Sequence, residues 1–204
     1  VSAGIVVIVF NYLIGKSLGD IGIAAYGVVA NLSLVFIAIF TGISQGVQPL
    51  ISKCQGQANS EERMYYFKAA LITIFVLSTI IYTLIFFGSG SITSMFNQEN
   101  NSILQEIGEK GLREYFIALP FVGINMLISV YFAAISKPLK GQIISACRGL
   151  VLLIPLAFLL EYFFNVDGVF LSFPSSEILT AILSICFIVF EIKKIRKVQL
   201  PDNN

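Results

Sequence analysis

The 204 residues contain no His and no Trp, only three Asp, and three Cys. Without His, the commonest zinc ligand and general base is missing. Asp20, Asp167 and Asp202 are too scattered to form a metal or acid pair, so an acyl or prenyl transferase working at a membrane face finds no candidate centre. Cys54, Cys147 and Cys186 are odd in number and far apart, which reads as reduced thiols rather than a disulfide framework. There is no Gly-rich phosphate loop, no nucleophile elbow and no cluster of metal ligands. Basic residues form no stripe of the kind that tracks nucleic acid. The expectation is a protein that is not an enzyme, needs no cofactor and binds no nucleic acid. The chain also starts at Val1, without an initiator Met or the basic region and cleavage site of a signal peptide. It reads as part of a longer protein.

Charge is scarce as well. Charged residues make up 12% of the chain, against about 25% in an average soluble domain. What fills their place is apolar: 56% hydrophobic residues, with 18 Phe. The charges cluster and leave uncharged stretches of about 20 residues or more, the length of a bilayer-crossing helix. The fold class expected is an all-α integral membrane bundle of six helices, over about 1–18, 21–52, 64–88, 111–136, 141–161 and 167–191. The second would be roughly 48 Å long against a hydrocarbon core of about 30 Å, so it must tilt or project. Residues 1–192 form the bundle and 193–204 a basic tail. Lys53, Arg63, Lys68, Lys137, Lys140, Arg148, Lys193, Lys194, Arg196 and Lys197 fall on one side, with Lys16, Lys110 and Arg113 on the other. The positive-inside rule then makes both termini cytoplasmic in a multi-pass cell-membrane protein. Residues 89–110 become a long polar external loop, and Arg63 and Arg148 structural charges at the cytoplasmic face.

Small and polar residues recur on the apolar helices. Gly27, Asn31, Ala38, Gly42, Gln45 and Pro49 share a face of the second helix. Ala118, Asn125, Ser129, Ala133 and Ser136 form a stripe on the fourth, where Pro120 and Gly123 offer a bend. Gly168, Ser172, Ser176, Thr180 and Ser184 follow four-residue steps on the sixth. Close helix packing explains most of them. Asn11, Asn31 and Asn125 are costlier to bury unpaired, so they read either as packing contacts or as the lining of a polar cavity. The third helix is almost wholly bulky and apolar, as a lipid-facing helix would be.

Glu177 is the sharpest single residue. It lies about 15 Å from Asp167 along the helix, near the middle of a span. An ionisable group at that depth marks a pathway or binding site more often than not. Ser184 shares its face, and Pro174 sits one turn earlier where the backbone can loosen. No Lys or Arg is expected near that depth.

Three motifs together resemble the multidrug and toxic compound extrusion (MATE) family. Gly42-Ile-Ser-Gln-Gly-Val-Gln-Pro-Leu-Ile-Ser52, with Gly56 and Arg63, is similar to a G-x-x-x-G-x-Q-P-L-I-S…G…R pattern that closes one of its helices. Tyr131-Phe-Ala-Ala-Ile-Ser-Lys137, then Arg148 and Pro155, resembles its Y-F-Q-A-x-G-K…R…P run. Gly168 to Glu177 resembles its G-x-x-x-x-x-P-x-x-[DE] segment. The resemblance implies two six-helix bundles about a substrate cavity, with this chain as the second and the N-terminal half absent from it. It further implies export of small organic cations in exchange for Na⁺ or H⁺. Gly42, Gln45, Gly46, Gln48, Pro49, Pro120 and Pro174 then become gate or hinge residues. Glu177, Asn11, Asn31, Asn125 and Ser184 become pathway residues, with Glu177 exchanging a proton for a cation. Where one branch of the family has acids on the matching helices, this chain has Asn11 and the outlying Glu114. A lipid-linked oligosaccharide flippase of related plan, or a half-protein without transport, stands as the alternative.

Overall fold

The computed structural model describes residues 2–199, and side chains from Gly4 to Lys193. It is all-helical over that range. Helix α1 runs Ser2–Gly56, α2 Ser60–Phe96, α3 Ser102–Tyr115, α4 Leu119–Ala134, α5 Pro138–Ala146 and α6 Leu153–Gln199. A 3₁₀ turn at Phe116–Ala118 joins α3 to α4, and a π-helical turn at Cys147–Val151 joins α5 to α6. By length and composition, four stretches are apolar enough to cross a membrane: Gly4–Gly56, Ser60–Phe96, Ser102–Ala134 and Pro138–Lys193. The basic tail is helical as far as Gln199, while its last residues and the side chains beyond Lys193 lie outside the described residues, as does Val1.

Two of these stretches contain sharp breaks. Gly19 has φ 60°, ψ −151°, and Asn165 has φ 53°, ψ −131°. Both sit in the left-handed half of dihedral space, which Gly enters freely and Asn more readily than most residues. The helix is therefore interrupted at each. After the second break Gly168 presses so close to the preceding segment that a Cβ there would lie 2.0 Å from the Leu160 carbonyl oxygen. Pro49 and Pro174 lie inside α1 and α6, away from these breaks. Pro120 stands at the first turn of α4, where its missing N–H costs no ladder bond.

Residues 89–110 are not an open loop. α2 continues to Phe96, and α3 begins at Ser102, where the Asn101 side chain accepts from the Ile103 and Leu104 amides. Gln105 Nε2 donates to the Gly90 carbonyl, and Gly108 admits Thr93 at a distance no side chain would tolerate. Short polar side chains and glycines let this segment close as a helical hairpin despite its polarity.

α1 lies against α2, α3, α4 and α6 and forms the spine of the bundle. The spine buries Tyr26, Val29, Phe40 and Ile51. Apolar side chains such as Ile72, Phe75, Leu84 and Phe87 of α2 are exposed, an area that suits lipid rather than water.

Two changes at the Asn165 turn should move stability in opposite directions. Gly168→Ala is expected to cost at least about 1–3 kcal/mol, because backbone must shift. Asn165→Gly should be neutral or stabilising by up to about 1 kcal/mol. Thermal melting of the purified variants in detergent checks both.

Candidate functional site

The buried polar groups of α4, the π turn and α6 converge on one carboxylate. Glu177 is 0% exposed. Arg148 donates from Nε (3.0 Å) and Nη2 (2.9 Å) to its Oε1. Asn125 Nδ2 donates to its Oε2 at 2.7 Å and to its backbone carbonyl at 2.9 Å. Ser184 Oγ in turn donates to Asn125 Oδ1 at 2.9 Å, so the amide is held at both ends. A carboxylate in an apolar interior needs such partners, since an isolated ion there costs many kcal/mol.

The local structure explains how Arg148 reaches it. In the π turn the Leu152 amide donates to the Cys147 carbonyl, five residues back. Each such turn takes in one extra residue and rotates the side chains that follow. α6 then starts at Leu153, which places Pro155 in its first turn, where no N–H is called for. Gly141 allows α5 to approach Ser129 of α4 until a Cβ would meet the Ser129 carbonyl at 2.5 Å, and Ser129 Oγ donates to the Gly141 carbonyl.

Beside the ion pair lies a cavity of about 340 Å³, lined by Tyr26, Ser33, Tyr115, Arg148, Phe173 and Glu177 among others. Tyr115 and Phe173 stack with ring centres 4.2 Å apart and planes 4° from parallel. The volume is that of a small-molecule site, and its walls are mostly apolar with a few polar groups, as such sites are.

Of the five residues expected on the pathway, Glu177, Asn125 and Ser184 meet. Asn11 is half-buried and Asn31 exposed, and neither lies among the groups around Glu177. The second half of α1 presents Tyr26, Ala30, Ser33 and Ile37 to the cavity. The stripe through Asn31, Ala38, Gly42, Gln45 and Pro49 is turned outward and exposed, and Gly46 is exposed beside it. Gln48 is half-buried, Pro120 half-buried and Pro174 buried.

Arg148 requires a correction. It was grouped with cytoplasmic charges because it follows Lys137 and Lys140 closely, yet it lies inside the bundle on Glu177. The charge asymmetry survives without it, at nine against three. The expected absence of a basic residue near Glu177 also falls. Arg63 is buried, and its Nη1 donates to Gln55, tying the end of α1 to the start of α2. Glu191 was not singled out, but it is buried between Lys137 and Lys140, with Lys140 Nζ at 3.1 Å. A deep acid so near the end of a span was masked by the basic tail that follows it.

The MatE family model matches residues 5–159. The chain belongs to the MATE family. It is 24% identical over 164 residues to a FAD transporter of Shewanella oneidensis, covering 78% of this chain and 35% of that protein. It is 26% identical over 175 residues to the multidrug export protein MepA of Staphylococcus haemolyticus, covering 86% of this chain and 38% of the relative. The chain thus spans little more than a third of the length of these MATE relatives. Among solved structures, an inward-facing multidrug resistance MATE transporter superposes with a TM-score of 0.90 at 17% identity, over 98% of this chain and 46% of that one. An outward-facing one gives 0.88 at 17%, over 96% and 44%. At this identity the likeness is one of fold: this chain resembles half of a MATE transporter.

Removing one member of the ion pair leaves a buried charge alone. Arg148→Met should therefore cost about 3–5 kcal/mol, while Arg148→Met combined with Glu177→Met should recover most of that loss. Chemical denaturation in detergent micelles measures the difference.

Proposed function

We propose that this MATE-family chain is the C-terminal lobe of a secondary antiporter that exports organic solutes in exchange for Na⁺ or H⁺ by alternating access. In this reading the breaks at Gly19 and Asn165 divide two of the four apolar stretches, giving six crossings over residues 1–192 with cytoplasmic termini in the cell membrane. A 55-residue helix would be roughly 80 Å long, far beyond a bilayer, so a break within it is what a spanning chain requires. Internal bundles that rock about a central site are a common transporter design.

The observation that carries the proposal is the cavity beside a buried, hydrogen-bonded carboxylate in a chain of this family. An intramembrane ion pair is expensive, and its usual place is a pathway. Coupling at Glu177 then works by exchange of partners. In the state described, Arg148 and Asn125 occupy its oxygens. In the opposite state Arg148 withdraws and a proton or Na⁺ takes its place, so the carboxylate is never left unpaired.

Ion pairs at the two ends suit a gated path. Lys16 faces Glu161 at 3.8 Å and Lys110 bonds Asp167 at one end, while Lys137 and Lys140 clamp Glu191 at the other. The exposed Gly42–Pro49 stripe is read as the hinge face toward a second lobe. The name of the multidrug relative supports drugs as cargo. The Arg148–Glu177 pair leaves the cavity without an uncompensated negative charge.

Cells expressing the complete transporter should accumulate less ethidium than controls, and dissipating the cation gradients should abolish the difference. Glu177→Gln should lower efflux about tenfold. Unchanged efflux at equal expression would remove Glu177 from coupling, and efflux that persists without gradients would overturn antiport.

A further inference from the structure

The cavity's two charges are not equally available to a ligand. Glu177 is 1% exposed at its side chain, and both its oxygens already accept hydrogen bonds. Arg148 is 16% exposed at its side chain and spends only Nε and one N–H of Nη2 on Glu177. A guanidinium has five N–H donors and no acceptor. Nη1 makes no hydrogen bond to any described residue. The charge a guest would meet is therefore the cation, although the pair as a whole is neutral.

The remaining polar lining points the same way. Ser33 Oγ already donates to the Ala30 carbonyl at 2.7 Å, and Ser145 Oγ is shared with Ser129 at 2.9 Å. Tyr26 and Tyr115 bring hydroxyls, that of Tyr115 within hydrogen-bonding reach of Ser33. Among the described residues, no ionisable side chain apart from Arg148, Glu177 and these two tyrosines lines the cavity. The stacked Tyr115–Phe173 pair gives the cavity an aromatic wall, and α1 adds apolar side chains to the lining. A planar ring with a carboxylate or phosphate at its edge would lay the ring on that wall and its anion on Nη1. Such an anion gains a charge-assisted hydrogen bond without disturbing Glu177.

We infer that the cavity bounded by Arg148, Tyr26, Tyr115 and Phe173 binds flat organic molecules through an anionic acceptor group, in preference to organic cations. The inference rests on reading this cavity as part of the transport path, and it narrows the cargo class that the path admits.

A charge series on one ring tests it. Binding of 2-naphthoate, 2-naphthamide and 2-naphthylmethylammonium to the complete transporter in lipid nanodiscs is measured by calorimetry. The naphthoate should bind at least about tenfold more tightly than the ammonium, with the amide between, the worth of one charge-assisted bond. Arg148→Met, which leaves Glu177 as the lone charge, should reverse the order. Arg148→Met with Glu177→Met, which keeps the pocket filled, should abolish any preference. If the single variant does not fold, the unmodified protein and the double variant still decide. Ammonium binding as tight as naphthoate in the unmodified protein overturns the inference, as does a naphthoate preference that survives the double change. Ethidium efflux that is gradient-dependent while the charge series is flat sinks this inference alone. A clear naphthoate preference without any gradient-dependent transport sinks the antiport reading and leaves the binding site standing.

Discussion

A carboxylate buried at zero exposure constrains most of what surrounds it. Glu177 cannot sit in this bundle as a bare ion, so α4 must supply Asn125, the π turn must supply Arg148, and α6 must hold Ser184 where it fixes the amide. Each requirement leaves a local mark. The π turn carries Arg148 to the carboxylate, and Pro155 falls in the first turn of α6, where no N–H is called for. Buried ion pairs add little net stability over apolar substitutes.

Around that centre, the helices pack by close approach. In lipid there is little hydrophobic drive between apolar helices, so small residues and interhelical hydrogen bonds carry the association. Gly123 lets Ile74 and Phe40 reach α4, Gly111 admits the Phe170 ring, and Gly141 brings α5 onto Ser129. The same logic closes the turn at Asn165, where Gly168 meets the Leu160 carbonyl. Polar satisfaction at the centre and small residues at the contacts together position the cavity wall of Tyr26, Tyr115 and Phe173.

Much of this was legible in the sequence, for definable reasons. Long uncharged stretches are a signal of length and composition, and they reappear as apolar helices. Glu177 and Ser184 share a face because seven residues make nearly two turns, and a buried Asn on a neighbouring helix is a natural partner for such an acid. Arg148 was not legible. Basic residues near a helix end are counted as loop charges, and nothing local announces a π turn that turns one inward. The stripe from Asn31 to Pro49 shows a second limit. Periodicity tells which residues share a face but not whether that face meets the core, and here the core is met by Tyr26, Ser33 and Phe40 instead. Residues 89–110 looked like a loop because they are polar, but side-chain caps and glycine contacts close them as helix.

The claim that matters most is that Glu177 is the shared acceptor that couples α4 to the π turn. A double-mutant cycle with Asn125→Ala and Arg148→Met, read as unfolding free energy of the purified protein, measures that coupling directly. Groups that share one partner should show an interaction energy of about 0.5–3 kcal/mol. Additive losses would mean that the two residues act independently, and the carboxylate would lose its place at the centre of the bundle.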